Sequence, residues 1–328
     1  MPAYFEAGVF SGGERAWHHG GIVVDDPWLT PAQVLTLVPE IGLDVQAMPA
    51  SYQDPDGTYH PMGDVVANVR EDGAYLGAVS PEYQLVQPRK SFDVLSKLTA
   101  DHQLKIDTAG TCRGGRTMWV LAYLPRDILV GGHESERVVP YICFHNSYDG
   151  KRALTIGLGP TRVVCWNTVQ AFDNSAQRSW TMRHTGNIDE KLAEASHSLG
   201  LMNRYYDEFE RLANQLIASP FTVRDMRRLT DRLTAFKPKP DESDRAAENR
   251  EAAKAAVLSF FLTSPDLSES AAKNTRWAAY NAVAEYSDHE RRARASKLGE
   301  DAGQVRFRRN LIMPDTTMKD EALKLLTA

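Results

Sequence analysis

The stretch Phe144–Thr185, FHNSYDGKRALTIGLGPTRVVCWNTVQAFDNSAQRSWTMRHT, decides the fold class. Short apolar runs (ALTIGLG, SWTM) are separated by the turn signal Asp149-Gly150 and by polar and basic groups. A strand that buries one face carries its polar residues on the other, so this pattern reads as antiparallel strands joined by tight turns. VVCWNTVQAF, at 163–172, is ambiguous between strand and helix, because a short apolar run does not settle the period.

Upstream, RVVPYICFHNS, RTMWVLAYLP and LKIDTAGTC extend the strand set, with Gly114-Gly115 as a turn. Pro88 leads a helix, PRKSFDVLSKLTADH, whose Phe92, Leu95 and Leu98 fall on one face. Before it lie three more strand candidates, LDVQAMPASYQ, DVVANVRED and AYLGAVS, the last two joined through the hairpin signal Asp72-Gly73. Thr30-Pro31 opens a short helix that Gly42 is expected to end, and residues 1–30 read as an irregular arm.

Downstream the pattern turns helical. Asn187 is a candidate N-cap, with Glu190 three residues on, for a helix from about 188 to about 217, where Leu192, Leu199, Met202, Tyr206 and Phe209 keep the three-to-four spacing. Breaks fall at Ser219-Pro220 and at KPKPDESD, 237–244, the best loop or hinge in the chain. NTRWAAYNAVAEYSDHERRAR, 274–294, places Trp277, Tyr280, Ala284 and Asp288 on one helical face and reads as docking onto the strands, leaving Arg291, Arg292 and Arg294 to solvent or a ligand. Strands first and helices second predict an α+β fold. Its antiparallel β-rich part spans 1–186, and a mostly helical part, 187–328, covers it.

Composition bounds the function. The 328 residues, 42% hydrophobic and 25% charged, are ordinary for a soluble globular chain. No apolar run approaches the about 20 residues of a membrane span. The first twenty residues lack a basic segment followed by an apolar one, which reads against a secretory signal. Cys112, Cys143 and Cys165 are too widely spaced for a disulfide framework and fit core thiols in a reducing cytoplasm. The net charge of −5 hides a polarised molecule: residues 1–80 hold two basic side chains against eleven acidic, residues 108–184 nine against five.

Phosphate-loop and dinucleotide signatures are absent, since GTCRGG and GLGPTR lack the required spacing, and no G-x-S-x-G elbow occurs. Cys143 and His145 share a strand face, but no close Cys or His pair of zinc spacing accompanies them, so no metal or cofactor is expected. Asp107, Asp149, Asp173 and Asp189 fall near strand ends without the convergence that a two-metal nuclease needs. His145 and Asp149 could form a catalytic pair, although Asn146 and Asp149 capping the hairpin explains them more simply.

Interleaved aromatic and basic residues are the stronger signal. Arg113, Arg116, Lys151, Arg152, Arg162, Arg178 and Arg183 are phosphate candidates, with Trp166 and Tyr148 as stacking candidates. A basic groove with aromatic faces is how single strands of nucleic acid are held. A pI near 6.0 weighs against it. The enzyme alternative gathers His145, Asp149, Arg162, Asn167 and His184 around one pocket for a nucleotide or nucleic acid. The third reading is self-assembly, acidic 1–80 against basic 108–184 of a neighbour, giving rings or filaments.

The segments AWHHGG, GAVSPEYQLVQ, TAGTCRGGRTMWVLAYLP, FHNSYDG, TRVVCWNT, RSWTMRHTGNIDEKLAEA and NTRWAAYNAVAEYSDHER, in this order, resemble the phage/plasmid-like protein family DUF932, a domain of unknown function. The resemblance covers nearly the whole chain and brings no catalytic residue with it. It implies a genomic setting in phages, prophages, plasmids and actinobacteria, among DNA replication and recombination functions. The tail VRFRRNLIMPD departs from the small, Gly-rich segment expected there. In element order alone, a hairpin, a helix and a further basic antiparallel sheet, the chain is also similar to the Rad52-like annealing proteins, which bind single-stranded DNA as rings. A nucleic-acid-binding protein of mobile-element DNA metabolism, oligomeric and without catalytic activity, is therefore the expectation, with annealing of single strands as its specific form.

Overall fold

The computed structural model describes residues 5–13, 21–98, 105–124, 126–162, 167–168, 179–187, 190–191, 202–291, 305 and 317–328. The antiparallel strands form two sheets rather than one. The larger contains β1 (Phe5–Phe10), β2 (Ile22–Val23), β6 (Lys105–Cys112), β7 (Thr117–Tyr123), β8 (Ile128–Leu129), β9 (Arg137–Ser147), β10 (Leu154–Arg162), β11 (Asn167–Thr168) and β12 (Ser179–Met182). Its order is β11-β10-β9-β7-β6-β1-β2; β8 adds to β9, and β12 pairs the N-terminal half of β10. The smaller sheet is a meander of β3 (Val45–Gln53), β4 (Tyr59–Arg70) and β5 (Tyr75–Val79). Among the described residues every strand pairing is antiparallel except the two-residue contact of β1 with β2.

Two local expectations are corrected. The arm is not wholly irregular: Phe5–Phe10 is a strand of the large sheet, paired to β6, with Val9 and Phe10 buried. Gly110 of β6 makes this close fit possible, because a Cβ there would run into the Trp119 indole and lie 2.6 Å from the Ala7 carbonyl oxygen. The first helix, α1 (Pro31–Leu37), is opened by a reciprocal bond set between Thr30 and Gln33. It ends before Gly42, because Pro39 has no N–H to continue the ladder, and the chain makes a 3-10 turn over Pro39–Gly42 instead.

The other helices given bounds among the described residues are α2 (Pro88–Leu98), α3 (Met202–Ile217), α4 (Val223–Arg232), α5 (Asp244–Thr263), α6 (Pro265–Ser268), α7 (Arg276–Glu285) and α8 (Thr317–Thr327). A five-residue π-turn, Tyr286–Glu290, prolongs α7, and residues 237–243 form the expected loop. One contiguous core joins sheet and helices: Met118, Val120, Ile142, Phe144 and Ile156 belong to the same buried cluster as Tyr206, Phe209, Trp277 and Tyr280. Polar contacts fix the docking. Trp277 Nε1 donates to the buried Glu136 Oε2 at 2.8 Å, Tyr206 donates its hydroxyl to the Tyr141 carbonyl, and Arg126 bridges Asp207 and Glu210. No helix among the described residues is long and apolar enough to cross a membrane.

Candidate nucleic-acid interface at one end of the large sheet

Hairpin register brings the two basic turns of the large sheet together. Thr117 of β7 lies opposite Ser147 of β9, so the β6–β7 turn (113–116) and the β9–β10 turn (148–153) sit side by side. The Tyr148 N–H donating to the Arg116 carbonyl at 2.8 Å joins them. Leu154 of β10 pairs with Met182 of β12, which places residues 151–153 alongside 183–185. Five of the seven phosphate candidates, Arg113, Arg116, Lys151, Arg152 and Arg183, therefore converge on one end of one sheet.

Asp149 is the hub of this end. Its Oδ1 accepts from Ser147 Oγ at 2.6 Å and from the Lys151 N–H at 3.1 Å. Its Oδ2 faces Arg113 Nη2 at 3.0 Å, in a pair whose side chains are 2% and 7% exposed. Arg113 has φ +59°, a left-handed conformation that costs a side-chain-bearing residue about 1–2 kcal/mol. The ion pair offsets that strain and turns the guanidinium inward.

The same turn rivets the small sheet to the large one. Asn68 of β4 donates to the Tyr148 carbonyl at 2.7 Å and Tyr83 donates its hydroxyl to the Ser147 carbonyl at 2.5 Å. Asn146 Nδ2 donates to the Val86 carbonyl at 2.9 Å. Gly77 of β5 approaches so closely that a Cβ there would lie 2.7 Å from Asp149 Cα. His184 stacks on Tyr83 with ring centroids 4.5 Å apart, and its Nδ1 lies 3.0 Å from the Gln84 carbonyl. That carbonyl only accepts, so Nδ1 carries the proton. Burial holds the His184 pKa below the ordinary histidine value, against the opposing pull of that bond.

The candidates differ in what they offer a ligand. Lys151 and Arg183 are exposed and have no acidic partner among the described residues; Arg116 and Arg152 are half-buried. Arg113 is committed to Asp149. Arg70, which the sequence reading passed over, packs against Gly115 and is bonded to Asp72 at 2.7 Å, holding that carboxyl down at about 2. Only the pairing of β4 with its neighbours brings Arg70 here, and no motif signalled it.

Other candidates are corrected or lie elsewhere. Tyr148 is 2% exposed, with its hydroxyl against Met118 Sδ, so it has no free face for a base. His145 and Asp149 do not form an acid–base pair: the carboxylate is taken up by Ser147, Lys151 and Arg113, and His145 is buried on β9 opposite Trp119 and Thr155. His184 backs onto Tyr83 and is 4% exposed. Trp166 and Arg178, with the side chains of Arg162 and Asn167, lie outside the described residues. Cys112 and Cys143 are in no disulfide, and burial pushes the Cys143 thiol up to about 12. Among the described residues no three His, Cys, Asp or Glu side chains are grouped to hold a metal ion.

The fold is an α+β body with a basic sheet end braced by a buried aspartate. The family model described as Domain of unknown function (DUF932) matches residues 75–311, and the chain belongs to that family. A comparison with curated proteins and one with solved structures found no match.

Proposed function

We propose that the protein binds nucleic acid through the basic end of the large sheet, in the cytoplasm and in the DNA metabolism of phages or plasmids, with single-stranded DNA as the ligand and annealing as the specific activity. One observation carries the reading. Lys151 and Arg183 stand exposed beside Arg116 and Arg152 on converging turns, while Asp149 of the same end and Asp72 beside Arg70 are each committed to an arginine. That leaves a surplus of positive charge at a site whose backbone is rigidly braced, the arrangement that positions phosphates. The likeness in element order to Rad52-like annealing proteins supports the annealing form. A fluorescein-labelled 30-nucleotide oligo-dT, titrated by anisotropy, tests it. Three phosphate contacts at the sheet end contribute about −2 to the slope of log K against log salt, and Lys151→Glu with Arg183→Glu should flatten it by about 1.4. Absence of binding at low salt refutes the reading.

A second reading, assembly of several copies, is favoured by the β3–β4 ribbon. β5 pairs β4 only over Val66–Val69, so Ala50–Gln53 and Tyr59–Met62 project as two strands alone. Such ribbons are marginal in water unless covered. This one exposes Met48, Tyr52 and Tyr59 and carries Asp54, Asp56 and Asp64, complementary in charge to a basic surface of another copy. Light scattering at low and high salt tests it, and a monomer under both conditions refutes it.

A further inference from the structure

Helix α4, sequence VRDMRRLTDR, carries four arginines on a short amphipathic helix. Its apolar face, Met226 and Leu229 with Leu233 just beyond, is buried in the core. Arg224, Arg227, Arg228 and Arg232 are all exposed. Arg224, Arg228 and Arg232 recur every four residues, so they form one ridge with neighbours about 6 Å apart along the axis. Exposed Lys237 and Lys239 follow in the adjoining loop.

The helix's own acids do not neutralise this ridge. Asp225 accepts from the N–H and hydroxyl of Thr222 as the helix cap and reaches Arg228 only at 3.8 Å. Asp231 is paired with Lys254 of α5 at 2.9 Å. Arg224, Arg227 and Arg232 have no ion-pair partner among the described residues. Like charges at i and i+4 destabilise a helix by about 0.2–0.5 kcal/mol per pair. Arg224, in the first turn, also opposes the helix dipole. Arg232, in the last turn, suits the dipole, but the two like-charge pairs and Arg224 are left without compensation beyond the long Asp225 contact, which points to an anion outside the chain.

We infer that the outer face of α4 is a second nucleic-acid surface, engaging the phosphate backbone through Arg224, Arg227, Arg228 and Arg232. It rests on the nucleic-acid reading above and adds a site that reading does not contain. The chemistry is phosphate only. Of the aromatics flanking the ridge in sequence, Phe221 is half-buried and packs edge-on with Phe261, and Phe236 is buried, so both rings are taken up by the core and binding through this face is independent of sequence. A membrane surface is the poorer fit, because a helix lying on lipid inserts its apolar face, and here that face is already in the core. Two separate phosphate-binding surfaces on one chain would let it hold two strands at once, as annealing requires.

The test compares the wild type with Arg224→Gln/Arg228→Gln/Arg232→Gln and with the matching triple lysine variant. The probes are the labelled oligo-dT and a 30-base-pair duplex, between 50 and 200 mM salt. Glutamine keeps helix propensity and removes the repulsion, so thermal stability should hold or rise. The triple glutamine variant should bind both probes on the order of tenfold more weakly at low salt. Its salt slope on oligo-dT should be shallower by about 2, and the lysine variant should retain binding. Wild-type binding that the glutamine variant matches in affinity and slope overturns the α4 site while leaving the sheet-end reading intact. Failure of the wild type to bind either probe overturns both. Unchanged affinity with a lower oligomer mass assigns the ridge to a protein contact and overturns it as well.

Discussion

Replacing Asp149 by alanine should be among the most damaging single substitutions in the β-rich half. The change removes three bonds at once, from Ser147 Oγ, from the Lys151 N–H and to Arg113. It leaves a guanidinium that is 7% exposed without its counter-charge, on a residue whose φ of +59° is already strained. Breaking a buried pair by removing one partner costs about 3–5 kcal/mol. Part of that is recoverable, because the Arg113 side chain can swing toward solvent, so about 3 kcal/mol is expected from urea unfolding. The double variant Asp149→Ala/Arg113→Gly separates the causes. Glycine adopts the left-handed conformation without strain and removes the stranded charge, so the double variant should be more stable than Asp149→Ala alone. A loss below about 1 kcal/mol for Asp149→Ala, or no recovery in the double variant, would refute the hub.

Gly77→Ala should destabilise by about 1–3 kcal/mol, since its Cβ would fall 2.7 Å from backbone at Asp149 that cannot give way; wild-type stability in the same urea titration would contradict this. Asp107 is buried and its pKa is raised to about 6, mainly by desolvation against the bonds from Tyr123 and Ser11. With the folded value above the unfolded one, its contribution favours folding below about pH 4 and is lost as pH rises to about 6; Asp107→Asn should abolish that fall in a series of Tm values against pH. Trp277→Phe removes the indole bond to the buried Glu136 and should cost about 1–3 kcal/mol, read from urea midpoints.

Much of the fold was legible because its punctuation is local. Thr30-Pro31, Asp72-Gly73, Gly114-Gly115 and Asp149-Gly150 each mark a helix start or turn that the structure contains. The partition into two sheets was not legible. β3, β4 and β5 look like the strands that follow them, and it takes long-range contacts such as those of Asn68, Gly77 and Tyr83 to show where the small sheet attaches. Phe5–Phe10 escaped notice because a six-residue strand rich in small residues has no period to detect. At the candidate site, residue type marks Lys151, Arg152 and Arg183 as basic neighbours of turns, but burial decides which of them are open to solvent. Tyr148 and Arg113 look available in one dimension and face inward in three. The arginines of α4 were passed over for the opposite reason: scattered in a polar stretch, they align only once the helix is formed.

The rivet between the sheets also sets a clock. Asn68 must find the Tyr148 carbonyl, 80 residues further along the chain. At a synthesis rate of about 5–20 residues per second, β4 waits roughly 4–16 s on the ribosome before its anchor exists. For that interval the β3–β4 ribbon stands with open edges, the situation in which nascent strands pair with the wrong neighbour. Pro49 in β3 and Pro61 in β4 withhold backbone donors from such pairing, and Asp54, Asp56 and Asp64 repel a second ribbon of the same kind. The prolines and acids that give this hairpin its odd composition thus guard the newborn chain as well as shape the finished one.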